Sequence, residues 1–294
     1  MADTASSIEP SPFIGTGLGF ARSFGERFDK EPFEFQHRLS TDARFGHEEL
    51  RALALRLPTK YYDSGNIAAG TRWDKAEKRC SFEDAVGQLE TSDSWIILKR
   101  AYEDPAYAGV LETCLADVSR LTGRDLATEV RSKTMSIILT SPNRITPYHI
   151  DGDCNFLFQV RGTKTLFVFD GNDRSVLTEP EVEGYWMGDS YAAKFRESNQ
   201  DKARAYAMKP GVGVHLPLMF PHWVKNDNNV SVSVSINFNF KDSLYDAYRG
   251  NFMLRKCGLR PSPVGASKLN DSLKAGLGGV TRVGYRALRK IVRG

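Results

Sequence analysis

Two side chains a single residue apart in this 294-residue chain, His149 and Asp151, could do metal chemistry. On an extended backbone, residues i and i+2 leave the same face, so an imidazole and a carboxylate can reach one ion. One more histidine would complete a two-histidine, one-carboxylate set. Such a set grips a metal from one side and leaves three adjacent positions open, as non-haem Fe(II) centres do to hold a cosubstrate and O2 together. Two of the five histidines compete for the third place. His215 falls inside the alternating run Val212, Val214, Leu216, whereas His222 follows Pro221 in a turn and precedes Trp223 at a strand start. The rim position favours His222.

The elements that must hold these residues read as short strands. After Arg124 the apolar period changes from helical spacing to runs broken by turns, with strands expected at 135–140, 156–160 and 165–169 and a hairpin turn at Arg161-Gly162. The run 230–240 alternates strictly, with Val230, Val232, Val234, Ile236, Phe238 and Phe240 on one face and Ser231, Ser233, Ser235, Asn237 and Asn239 on the other. In a barrel covered by helices the apolar face can pack outward, leaving a small polar face for a ligand; a solvent-exposed serine face is the other reading. Upstream, helices are expected over 46–57, 82–90 and from Pro105 to about Leu121, with Gly123 just beyond the last. A short strand over 31–39 should turn His37 away from Phe33 and Phe35, to the surface or to a hydrogen bond. Segment 179–208, with a helix expected around 199–206, is either a wall of a substrate site or packing over a barrel end.

The predicted organisation is therefore mainly β with flanking helices. Residues 1–124 form an irregular N-terminal arm and buttressing helices, 125–242 the β core, and 243–294 a basic helical tail. The net charge of +4 conceals an asymmetry: residues 255–294 hold ten Lys and Arg against Asp271 alone, so the first 254 residues sum to −5. The tail segment 281–294 sets Arg282, Arg286, Arg289, Lys290 and Arg293 beside Val283, Leu288, Ile291 and Val292. It could meet an anionic membrane, nucleic acid or acidic partner, or be a solvated helix or a packing segment of a homodimer. Hydrophobic content of 41% suffices for a buried core, and no apolar run approaches transmembrane length. With no signal-like start, a cytoplasmic location is expected. Cys80, Cys114, Cys154 and Cys257 are scattered, which points to reduced, structural thiols.

Several motifs in order, Thr146-x-x-His149-x-Asp151, then Asn155 and Gly162-x-Lys164, then Pro210-Gly211, Pro221-His222 and Ile236-Asn237-Phe238, resemble the JmjC and cupin-like Fe(II)/2-oxoglutarate oxygenases. They are most similar to the branch of the asparaginyl hydroxylase that inhibits hypoxia-inducible factor. Spacings of fifteen residues from His149 to Lys164 and from His222 to Asn237 agree with it. The resemblance implies a double-stranded β-helix (jelly-roll) barrel in which His149, Asp151 and His222 bind Fe(II). It further implies that Lys164 and Thr146 hold the distal carboxylate of 2-oxoglutarate, with Asn155 and Asn237 near its metal-bound end. The implied reaction consumes O2 and hydroxylates a C–H bond, with an amino-acid side chain of a protein or peptide as the first expected substrate and a small metabolite as the second. A non-catalytic cupin that binds metal or an acidic ligand is the alternative of another class. One position departs from the family pattern: an aromatic hydroxyl from an earlier strand often joins the lysine, whereas the corresponding region here offers Thr134, Ser136 and Ile138. Cosubstrate binding would then use Thr134 or Ser136, or be weaker.

Overall fold

A strand with one apolar and one polar face must cover the first and find a use for the second. The computed structural model, which describes residues 13–15, 18–65, 67–241 and 244–279, does both. Its strands are β1 (Phe33–Gln36), β2 (Lys60–Ser64), β3 (Ser94–Leu98), β4 (Val130–Thr140), β5 (Ile145–His149) and β6 (Cys154–Arg161), then β7 (Lys164–Val168), β8 (Arg204–Met208), β9 (Val212–Leu216), β10 (His222–Asn226) and β11 (Ser231–Phe240). They form two antiparallel sheets, ordered β1-β9-β6-β11-β4-β3-β2 and β5-β10-β7-β8. The helices are α1 (Leu18–Arg27), α2 (His47–Arg56), α3 (Phe82–Gly87), α4 (Pro105–Thr122), α5 (Leu126–Glu129), α6 (Glu179–Trp186) and α7 (Tyr245–Lys256), and residues 268–279 are helical as well. None among the described residues is long and apolar enough to cross a membrane.

The outer face of the large sheet is the main core. Val232, Val234, Ile236 and Phe238 of β11 join Phe156 and Phe158 of β6, Phe33 and Phe35 of β1, and the apolar sides of α2, α3 and α4. Fully burying one such side chain contributes roughly 1.5–3 kcal/mol. Helix α4 is bounded as its sequence dictates: the Asp104 carboxylate accepts from the Ala106 N–H at 3.0 Å, Pro105 opens the first turn, and Gly123 closes it in the left-handed region at φ 70°. The inner faces of the two sheets meet around Leu157, Leu166, Val168, Tyr206, Met208, Val214, Leu216 and Val224, which plug one part of the barrel.

Several expectations change in three dimensions. β2 and β3 lie in the segment read as arm and buttressing helices, yet they join the large sheet at one edge, while the strand expected over 31–39, β1, forms the other. Within the arm, Leu18–Arg27 is helical, and the Phe13 and Ile14 N–H groups dock on the Asp117 carboxylate at 2.7 and 2.9 Å. The helix expected around 199–206 is a 3-10 turn, Glu197–Lys202, followed by β8. Tyr206 and Met208 are buried at period two, and pairing with β7 overrides local propensity. α3 stops at Gly87, short of the expected 90. His37 shares the parity of Phe33 and Phe35 and is buried among aromatic rings, 5.2 Å from the Phe158 ring centroid. Its hydrogen bonds are to Val212 O and from the Leu39 N–H. The cysteines are free thiols, Cys114 and Cys154 buried. Segment 281–294 lies outside the described residues.

Candidate metal centre and cosubstrate cavity

β5 and β10 pair antiparallel with His149 opposite His222. A bulge between His222 and Val224 shifts the register so that Thr146 faces Val224. Without it, Thr146 and His149, three residues apart, would point to opposite faces; with it, both line one cavity. Just past β5 the chain turns, and the Asp151 carbonyl accepts from the Met219 N–H at 3.0 Å, tying the turn to the loop before β10.

His149, Asp151 and His222 each bring one ligand atom within 4.8 Å of the others. The two imidazole rings lie 4.2 Å apart, and His222 Nε2 is 3.9 Å from Asp151 Oδ2. Each histidine donates Nδ1–H to the carbonyl two residues earlier, His149 to Pro147 at 2.8 Å and His222 to Phe220 at 3.0 Å. That leaves both Nε2 lone pairs for a metal. Burial, followed by the nearby His149, lowers the His222 pKa to about 4, so this ring is neutral and ready to ligate. Two imidazoles and one carboxylate of this geometry fit a divalent first-row metal with open positions.

His215, the competing third histidine, points the other way. Its Nδ1 donates to Asn155 O at 3.0 Å, its Nε2 accepts from the Asp29 N–H at 3.0 Å, and its ring packs on Phe28 and Phe156. Neither nitrogen is left for a metal.

The centre opens on a cavity of about 520 Å³ between the sheets. Lys164 begins β7 opposite Asn226, four residues along β10 from His222, which separates the two backbones by roughly 13 Å. The Lys164 ammonium is buried and bonds Ser233 Oγ at 2.5 Å. Among the described residues no carboxylate pairs with it, and burial lowers its pKa to about 7. A buried lysine without a counterion is a strong invitation to an anion. Asn155 and Asn237 face each other across β6 and β11 and line the same cavity. Asn155 Nδ2 donates to Asn237 Oδ1 and Ser235 Oγ, while Asn155 Oδ1 is buried with no donor. Thr134 pairs with Asn237, four residues along β4 from Ile138, the partner of Ser233. It therefore sits roughly 13 Å from the lysine end.

Trp73 carried no signal in the sequence, whereas Tyr185 falls in the segment read there as a possible wall. Trp73 meets His149 edge-on at 5.7 Å and Tyr191 at 4.6 Å. The Tyr185 hydroxyl accepts from the Gly152 N–H at 2.7 Å, and a Cβ at Gly152 would lie 2.8 Å from Trp186 and 2.9 Å from Tyr185. Only glycine fits between Asp151 and Asp153. Tyr185 and Ser190 give segment 179–208 a share of the cavity wall, while Val182, Ala193 and Phe195 pack it over the small sheet. Burial and the neighbouring Asp151 raise Asp153 to about 6; its carboxylate accepts from Asn239.

Two antiparallel sheets facing each other, with flanking helices, make a cupin-like fold. The model of the cupin-like domain matches residues 60–244, and the chain belongs to that family. Two crystal structures of the Escherichia coli ribosomal oxygenase YcfD superpose with TM-scores of 0.51 and 0.52 at 14% and 13% identity. They cover 93% and 92% of this chain and 68% and 69% of theirs. Another YcfD structure, with cobalt and 2-oxoglutarate, superposes with a TM-score of 0.49 at 13% identity, covering 86% of this chain and 61% of its own. The chain spans 61% of the first such structure. At these identities the likeness is one of fold. No curated protein sequence matches the chain.

Proposed function

We propose that this protein is an Fe(II)- and 2-oxoglutarate-dependent oxygenase. The observation that carries the reading is a single cavity holding a His-Asp-His face at one end and, at the other, a buried lysine with no counterion among the described residues. With iron, 2-oxoglutarate and O2 bound, the chemistry is oxidative decarboxylation to succinate and CO2 coupled to hydroxylation of a C–H bond. The chain's part is positional. His149 and His222 present Nε2 donors fixed by their Nδ1 hydrogen bonds, and Asp151 supplies the carboxylate ligand. Lys164 takes the distal carboxylate of the keto acid, with Thr146 as a neutral donor beside it. Asn155 and Asn237 hydrogen-bond its metal end, and Thr134 supports Asn237 from the next strand. Trp73 and Tyr185 shield the centre from water.

The substrate we favour is an amino-acid side chain of a protein or peptide. The fold shared with a ribosomal oxygenase and the motif order shared with the asparaginyl-hydroxylase branch support it. The test is anaerobic: 2-oxoglutarate added to the Fe(II)-loaded protein should produce a visible metal-to-ligand charge-transfer band. The band should vanish in His149→Ala and require more keto acid in Lys164→Ala. Absence of the band with iron and keto acid at saturating levels would leave a metal-binding cupin module instead.

A further inference from the structure

Trp95 of β3 lines the same cavity, is 7% exposed, and carries an indole N–H that is buried without an acceptor among the described residues. Register fixes its surroundings. Trp95 pairs with Asp63 on one side and Thr140 on the other, and directly paired residues share a face of the sheet. Acceptors on those neighbours are already engaged: Asp63 takes Arg144 on Oδ1 and the Tyr61 hydroxyl on Oδ2, and Thr140 Oγ1 takes Asn226 Nδ2 at 2.6 Å. Asn226 is the register partner of Lys164. The unused indole donor thus flanks the buried ammonium's end of the cavity, linked to it through Thr140 and Asn226. Thr134 lies at the opposite end.

We propose that the Trp95 indole N–H is a further donor to the distal carboxylate of the keto acid. This rests on the 2-oxoglutarate reading above. A carboxylate offers about four lone-pair sites, so it can accept from an indole, an ammonium and a hydroxyl together. A tryptophan is donor-only, which suits it to an anion and leaves it unsatisfied while the cavity lacks one. The donor is a nitrogen on β3, next to β4.

The decisive experiment uses the full-length Zn(II)-loaded protein labelled with 15N at tryptophan. Its four indole signals come from Trp73, Trp95, Trp186 and Trp223, and Trp95→Phe assigns the one of interest. Adding 2-oxoglutarate should move the Trp95 signal downfield. Adding 2-oxobutyrate, which keeps the keto-acid end but lacks the distal carboxylate, should not. In parallel, Trp95→Phe should raise the apparent Kd for 2-oxoglutarate about tenfold or more, as expected for a lost hydrogen bond to a charged group. It should leave the Kd for 2-oxobutyrate unchanged, and Trp95→Tyr should recover part of the loss. If 2-oxoglutarate binds and its affinity falls in Lys164→Ala while the indole signal stays fixed, Trp95 is not a donor and the cosubstrate reading survives. If 2-oxoglutarate does not bind the parent protein, both fall. Equal weakening of both keto acids in Trp95→Phe would mark a packing role and overturn the proposal. Should that variant not fold, the signal in the parent protein still decides.

Discussion

The outer face of the large sheet and the inner face of the small sheet each carry a buried histidine, and the pair makes their contrast sharp. His215 and His222 are both buried, both donate Nδ1–H to a backbone carbonyl, and both have pKa values lowered by burial, to about 3 and about 4. On the outer, aromatic side, the second nitrogen of His215 is taken by the Asp29 N–H. On the inner side, the second nitrogen of His222 faces Asp151 and His149. Burial and residue type do not make a ligand; an unspent lone pair among other ligands does.

The largest effect should come from exchanging that role for nothing. His222→Ala is expected to lower metal affinity by more than the roughly 10–100-fold that outer-shell changes cost, measured by calorimetric metal titration. His215→Ala should leave that affinity intact while reducing stability in urea. Equal loss of metal in both variants would break the comparison. Next in size, Phe156→Ala, which opens the aromatic cluster against Phe24, Phe35 and His215, should cost roughly 3–5 kcal/mol in urea denaturation. Metal affinity of its folded fraction should be unchanged.

The inner face sharpens the contrast in the opposite direction. Lys164→Met keeps the aliphatic stem and removes a buried charge with no acidic partner among the described residues, so stability should rise by about 1–4 kcal/mol. 2-Oxoglutarate binding should weaken about tenfold or more. A destabilised variant with unchanged keto-acid affinity would show the lysine to be structural. The smallest effect concerns acid. His37 and His215 have folded pKa values of about 4 and about 3, below the unfolded value of 6.5. The unfolded chain therefore binds more protons, and the stability present above pH 6.5 is lost as pH falls towards those folded values. Each ring contributes up to about 1.4 kcal/mol per pH unit in that window. Urea midpoints between pH 7 and 5 should slope less in His37→Gln than in the parent; equal slopes would remove His37 from the account.

Much of this was legible because it depends on local periodicity. The alternation in β11 announced an apolar outer and a polar inner face, and α4 carried its own start and stop in Pro105 and Gly123. The His149-x-Asp151 spacing on an extended strand announced two ligands on one side, and the turn before His222 favoured it over His215. One error arose where pairing outweighed sequence: β8 is a strand because β7 lies beside it. The burial of His37 was legible, because its parity with Phe33 and Phe35 carries it inward.

What the sequence by itself determined, then, was the set of groups able to bind a metal and an anion, and the faces they leave. Those follow from side-chain chemistry and from the two-residue repeat of a strand, both local properties. Only the tertiary structure decided which groups share a cavity. The β5–β10 bulge turns Thr146 to the side of His149, antiparallel pairing sets Thr134 and Lys164 at opposite ends, and β3 brings Trp95 beside Thr140 from forty-five residues away. Register and bulges depend on distant partners, so no local pattern encodes them.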